Sequence, residues 1–109
     1  MQLLIDDEKI LVKKANSFYQ RLLGLMGQKE ITYGILFPHT TSIHTFFMKA
    51  NIDVIAINSN NEVIFKYENV AKNKIVTVNN SIKNTSILEL PANTSKQIKI
   101  GDKLTFISE

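Results

Sequence analysis

The sequence contains no cysteine among its 109 residues. Without thiols the chain can form neither a disulfide nor a zinc–thiolate site, and it has no cysteine nucleophile. Its four glycines lack the spacing of a phosphate-binding loop or a dinucleotide fingerprint, which argues against nucleotide chemistry of the familiar kinds. No apolar run approaches the ~18 residues that a membrane-spanning helix needs. What remains is a chain of the right length for one domain, residues 1–109.

Arginine is nearly absent as well, because twelve of the thirteen basic residues are lysine and the other is Arg21. A lone arginine in so lysine-rich a chain suggests that a planar, bidentate group is needed at that position. The net charge of +3 is small, and the lysines are scattered, with the densest groups at Lys13–Lys14 and Lys72–Lys74. This pattern is typical of a solvated surface, so we expect no specific nucleic-acid partner.

The first residues turn acidic at Asp6 and have no basic segment ahead of an apolar one, so they do not resemble a signal peptide. We therefore expect a cytoplasmic monomer without a membrane span, or an exported form if a signal peptide precedes this sequence. No motif in the sequence indicates a cofactor.

Alternating and continuous apolar runs predict a succession of short strands. The clearest hairpin joins residues 53–58 to residues 62–67 across a Ser-Asn-Asn turn, since Asn tolerates positive φ. The predicted strands are Gln2–Ile5, Lys9–Lys13, Gly34–Phe37, Ile43–Lys49, Asp53–Asn58, Glu62–Tyr67, Ile75–Val78, Thr85–Leu90 and Lys103–Ile107.

Two capping boxes predict short helices. Ser17 and Gln20 form the first, and the apolar spacing after Ser17 predicts a helix of about two or three turns. Thr94 and Gln97 form the second and predict one further turn. Many short strands with one or two short α-helices favour a mainly β fold, a small closed or nearly closed β-barrel, because closure removes exposed sheet edges.

The densest group of candidate functional side chains lies in Ser42–Met48. As a strand, this segment would place His44, Phe46 and Met48 on one face. A histidine among large apolar side chains can be a general base, a metal ligand or a hydrogen-bonded core residue, and the core role is the commonest. His39, His44 and Met48 would suit a soft ion such as Cu(I), but so sparse a ligand set does not predict a metal site.

Two acidic residues, Asp53 and Glu89, each lie between two aliphatic residues. A buried carboxylate needs a partner, or it takes up a proton. Arg21 is the obvious partner, and we predict an ion pair between it and one of the two acids. The functional alternative is an acid–base site in which Asp53 orients His44 for proton transfer.

Several segments resemble motifs of the domain-of-unknown-function 192 family and follow the same order along nearly the whole chain. The matching segments are Arg21–Met26 (R-x-x-G-L-M), Ile35–Pro38, Ser42–Met48 (S-I-H-T-F-F-M), Ile52–Val54, Leu88–Ala92 and Gly101–Leu104. The chain departs from the family pattern at Asn51, where a proline is usual, and at Asn93, where a glycine is usual. The family's P-W-R motif is absent around Asn69–Lys74.

This resemblance implies a compact, β-rich, barrel-like domain of prokaryotic proteins and brings no established activity. The predicted ligand-binding residues are Arg21, His44, Phe46, Met48, Asp53 and Glu89. The predicted function is a non-enzymatic module that binds a small molecule or a protein partner, with a pocket near His44 and Asp53. A small hydrolase or lyase that uses His44 and Asp53 as an acid–base pair is the alternative, and the sequence does not decide between the two.

Overall fold

The computed structural model describes residues 1–15, 27–46, 48–78 and 84–108. These ranges contain nine β-strands and no α-helix. The strands are β1 (Gln2–Ile5), β2 (Glu8–Lys14), β3 (Gly34–Phe37), β4 (Ser42–His44), β5 (Ile52–Ile57), β6 (Val63–Val70), β7 (Ile75–Thr77), β8 (Ser86–Pro91) and β9 (Thr105–Ile107).

Seven of the strands form one sheet in the order β6-β5-β8-β3-β2-β1-β9. Neighbouring strands in this sheet are antiparallel, except that β2 and β3 are parallel. The other two strands, β4 and β7, pair with each other as a separate antiparallel ribbon. We call this pair the ribbon.

The seven-stranded sheet curls into a half-barrel, and the closed barrel expected from the sequence is not formed. Its edge strands, β6 and β9, meet at one corner only, through an isolated bridge between Glu62 and Lys103. The Val63 N–H donates to the carbonyl of Asp102 at 2.8 Å across that corner. Because β9 has only three residues and already pairs with β1, it does not extend this contact along β6.

The predicted hairpins are confirmed, but the predicted second helix is wrong. Strands β1 and β2 pair around a two-residue turn, and β5 pairs with β6 across the Asn-rich turn, where Asn61 has φ of 62°. Residues 92–97 form turns instead of a helix. The Thr94 hydroxyl donates backward to the carbonyl of Pro91 at 2.6 Å, so it does not cap a following helix. The helix predicted after Ser17 lies outside the described residues.

The half-barrel sheet has a different apolar cluster on each face. On one face the cluster includes Ile43 and Val76 of the ribbon together with side chains of the large sheet, and we call this the ribbon face. Its sheet residues are Ile35, Phe37, Ile52, Val54 and Ile87. The opposite, inner face carries Leu3, Val12, Ile55, Ile57, Val63, Leu88, Leu90, Ile98 and Leu104. Because that inner set comes from both ends of the strand order, the sheet must curl around it.

Candidate functional site

Asp53 is fully buried in β5, where three hydrogen bonds from the protein hold its carboxylate. Its Oδ1 accepts from the Asn69 N–H at 2.9 Å, and its Oδ2 accepts from the N–H and the hydroxyl of Ser95 at 3.0 and 2.5 Å. The Asn69 donor is free because the ladder between β5 and β6 shifts register there, and Asn69 has φ of 54°. The carboxylate therefore ties β6 and the turn after β8 to β5.

The structure does not bring Asp53 and His44 together. Successive side chains of a strand point to opposite faces, and Val54, the residue after Asp53, belongs to the ribbon-face cluster. Asp53 therefore points to the inner face and pairs in the sheet with Leu90, which also belongs there. His44 lies on the ribbon, on the other side of the sheet.

Glu89, in contrast, lies on the ribbon face. It pairs directly with Val54 of β5 and with Ile35 of β3, and directly opposed residues share a face of the sheet. The side chain is almost completely buried, and among the described residues nothing donates a hydrogen bond to its carboxyl or forms an ion pair with it. Burial raises the pKa of Glu89 to about 8. With no donor among the described residues, the carboxyl is therefore expected to hold its proton at neutral pH.

His44 ends β4, and its half-buried imidazole stacks on the ring of Phe46. The ring centroids are 5.1 Å apart, with an angle of 25° between the planes. The Nδ1 atom of His44 is buried and has no hydrogen-bond partner within the described part of the chain. Phe46 keeps 38% of its surface exposed. The partly exposed Phe46 ring and the unpaired Nδ1 of His44 together make the end of the ribbon a place where a ligand could make contact.

Met48 does not share a face with His44 and Phe46, and the strand predicted to continue to Lys49 ends at His44. A hydrogen bond from the Met48 N–H to the carbonyl of Thr45, at 3.2 Å, turns the chain after the strand. Met48 is thereby buried in the ribbon-face cluster, while Phe46 points outward. The predicted alternation holds for His44 and Phe46, whose rings stack, and fails for Met48 because the segment contains a turn.

Thr45 is a residue whose importance the sequence did not indicate. It is fully buried, its hydroxyl donates to the carbonyl of Ala71 at 2.7 Å, and the same oxygen accepts from the Lys74 N–H at 2.8 Å. Its backbone adds bonds to Lys74 and Asn73. In the sequence, a threonine within a strand-like segment looks like any other β-branched residue that favours strands. Its hydrogen bonds to a distant segment therefore could not be predicted.

Arg21 lies outside the described residues, so the ion pair predicted for it stays a prediction. Within the described ranges, no three His, Asp or Glu side chains gather in a metal-binding arrangement. Also among the described residues, no helix is long and apolar enough to cross a membrane.

Both departures from the family motifs have a local structural role. Asn93 adopts φ of 72°, a left-handed conformation in which asparagine is among the few substitutes for glycine. Asn51 donates from its side-chain amide to Oδ1 of Asn69 at 3.0 Å, beside the bulge that faces Asp53. The two asparagines thus flank the same buried carboxylate network from different loops.

The fold is similar to those of two solved bacterial proteins. A protein of unknown function from Novosphingobium aromaticivorans superposes with a TM-score of 0.77 at 16% identity, over 96% of this chain and 82% of that one. A putative transcription regulator from Sinorhizobium meliloti superposes with a TM-score of 0.76 at 23% identity, over 95% and 89% of the two chains. At these identities the similarity concerns the fold alone.

Sequence relatives occur among archaeal proteins named UPF0127. The chain is 42% identical over 59 residues to one from Thermococcus sibiricus and 44% identical over 62 residues to one from Pyrococcus furiosus. These matches cover 49% and 51% of this chain, and 38% and 53% of the relatives' own lengths. The model of the DUF192 family, described as an uncharacterised conserved group, matches residues 1–106. With its fold, its motifs and nearly its full length matched, the chain belongs to the DUF192 family.

Proposed function

We propose that this domain is a non-enzymatic module that binds a small polar molecule on the ribbon side of the sheet, with Glu89 and His44 as its polar contacts. One observation supports the proposal. Among the described residues, the His44 Nδ1 is the buried side-chain atom without a hydrogen-bond partner, and none of those residues donates a side-chain hydrogen bond to the nearly buried Glu89. Buried polar groups are normally paired, so the unpaired His44 nitrogen favours a ligand that pairs with it.

The chemistry of the two groups indicates the kind of ligand. A protonated carboxyl offers one O–H donor and a carbonyl acceptor, and a neutral imidazole offers a donor and an acceptor. Hydroxyl and amide groups can match both. Phe46, stacked on His44 and partly exposed, would supply an apolar wall. We therefore favour neutral molecules that carry several hydroxyl or amide groups, such as sugars and polyols.

The acid–base alternative has no observation in its favour. An acid–base site built on His44 needs a carboxylate within hydrogen-bond reach of the imidazole, because that carboxylate has to orient the ring. The Asp53 carboxylate instead accepts bonds from Asn69 and Ser95 and points to the opposite face of the sheet. Asp53 contributes to the module by holding its scaffold together.

A thermal-shift screen with sugars, polyols, amides and amines tests the proposal. A ligand present at about 100 times its Kd should stabilise the fold by about 2.7 kcal/mol, which raises the Tm of a domain of this size by several degrees. The shift should disappear in E89L, which has neither donor nor acceptor at this position, and in H44A. It should fade in the wild type as the pH rises above 8, where Glu89 loses its proton.

S95A is the matched control. It removes one of the bonds to Asp53 on the inner face, so it should lower the Tm of the free protein and leave the ligand-induced shift intact. The proposal fails if no compound class shifts the Tm, or if the shift survives in both E89L and H44A.

A further inference from the structure

We infer that the end of the ribbon presents a binding surface for single-stranded nucleic acid, with little preference for sequence. The surface consists of residues 71–75 and Phe46, and we call it the basic corner. All five residues of the 71–75 segment are exposed, and Ile75 keeps 66% of its surface exposed. This inference goes beyond the small-ligand site and does not involve Glu89.

Hydrogen bonds hold the backbone of the basic corner in place, although its side chains are exposed. Buried Thr45 holds it through bonds between its hydroxyl and both Ala71 and Lys74. The Thr45 N–H also donates to the carbonyl of Lys74 at 2.8 Å, and the Asn73 N–H donates to the carbonyl of Thr45 at 3.1 Å. A surface that is already ordered loses little conformational entropy on binding, which is what a recognition site requires.

The charge of the basic corner is of one sign. Lys72 and Lys74 are both exposed in it. The sequence has no acidic residue between Glu30 and Asp53 or between Glu68 and Glu89, and both ribbon strands lie in these stretches. The two lysines therefore have no acidic neighbour within their own segment or the ribbon strands to offset their attraction for phosphate groups.

Flat and apolar surface lies next to the lysines. Phe46 stacks on His44 and leaves part of its ring exposed, and Ile75 is paired with His44 across the ribbon. Proteins that bind single strands combine aromatic rings, on which bases stack, with cationic side chains that follow the backbone. A lipid surface is a poorer fit, because one isoleucine and one phenylalanine do not make the continuous apolar face of a membrane-bound element.

Fluorescence anisotropy with a labelled oligothymidylate of about twelve nucleotides tests the inference, since single-strand sites span roughly 4 to 16 nucleotides. The K72A/K74A double variant should bind about tenfold more weakly. The slope of log Kobs against log salt concentration should become shallower by about 1.4, because two phosphate contacts are lost. F46A should also bind about tenfold more weakly, but with the salt dependence unchanged.

The K9A/K96A double variant is the matched control, because it removes the same charge from exposed lysines beside the acidic turn of Asp6 and Asp7. It and E89L should bind the oligonucleotide like the wild type, which separates this inference from the proposed small-ligand site. The inference is overturned if the wild type does not bind at low salt, or if K9A/K96A loses as much affinity as K72A/K74A. Binding to anionic phospholipid vesicles without binding to the oligonucleotide would also overturn it.

Discussion

The two faces of the half-barrel sheet each contain a buried acid, and the two acids are treated in opposite ways. On the inner face, Asp53 accepts three hydrogen bonds from Asn69 and Ser95. On the ribbon face, Glu89 has no such donors among the described residues and holds its proton instead, with a pKa of about 8 caused by burial. One acid joins three segments of the scaffold through its hydrogen bonds, and the other is kept protonated by its burial.

The sharpest test of this comparison is the pH dependence of stability in E89Q. In the unfolded chain Glu89 ionises near pH 4.5, whereas burial raises its pKa in the fold to about 8. The contribution of Glu89 to stability is therefore fully present below pH 4.5 and is lost as the pH rises to 8, by up to about 5 kcal/mol. E89Q should match the wild type at pH 4 and exceed it by up to this amount at pH 9 in urea unfolding. Parallel pH profiles for the two proteins would contradict the assignment.

The second prediction concerns the opposite acid. D53A removes a buried acceptor from three donors and should destabilise the fold by about 3 to 4 kcal/mol at pH 7, because buried donors are then left unpaired. S95A should lose only about 1 to 2 kcal/mol, since the backbone bonds to Asp53 remain. Chemical denaturation of both variants measures the difference. If D53A were no less stable than S95A, Asp53 would not be the organising residue of the inner face.

The third prediction concerns Thr45 on the ribbon side. T45V keeps the shape of the side chain but removes the hydroxyl that bonds Ala71 and Lys74, so it should cost about 2 kcal/mol. T45S keeps the hydroxyl and should cost less. Hydrogen exchange should show faster exchange of the Lys74 amide in T45V, with the Ser95 amide of the inner face unaffected. Equal acceleration of both amides would mean that the two faces do not behave independently.

The smallest effect is expected at Asn93, in the turn that presents Ser95 to Asp53. Because Asn93 has φ of 72°, N93A should lose about 1 kcal/mol, and N93G should be as stable as the wild type or slightly more stable. Thermal unfolding of the pair measures this. A harmless N93A would show that the turn can rearrange without disturbing the carboxylate network.

Much of the fold could be predicted from the sequence, because its strands are short and are separated by recognisable turn residues. The hairpins follow from asparagine and aspartate turns, and Gly34–Phe37 was predicted with its observed bounds. Barrel closure could not be predicted, since it depends on how far β6 and β9 overlap after the sheet has curled. The turn after Pro91 could not be told from a helix, because a Thr-x-x-Gln pattern does not show in which direction the threonine will bond.

The candidate site was harder to predict than the fold. Asp53 and Glu89 look alike in the sequence, since each is flanked by aliphatic residues. What separates them is the presence of donors 16 and 42 residues further along the chain, at Asn69 and Ser95. Local patterns identify which polar residues are buried, but only the tertiary arrangement shows which of them are satisfied.

The pairing of β1 with β9 has a consequence for the synthesis of the protein. The two strands are the first and last of those in the described residues, yet they are neighbours in the sheet. While the ribosome is still making the chain, one edge of β1 therefore has no partner, although β2 is already available for the other edge. An unpaired strand edge can join with other chains, so this edge of β1 stays open to such contacts until β9 has been made.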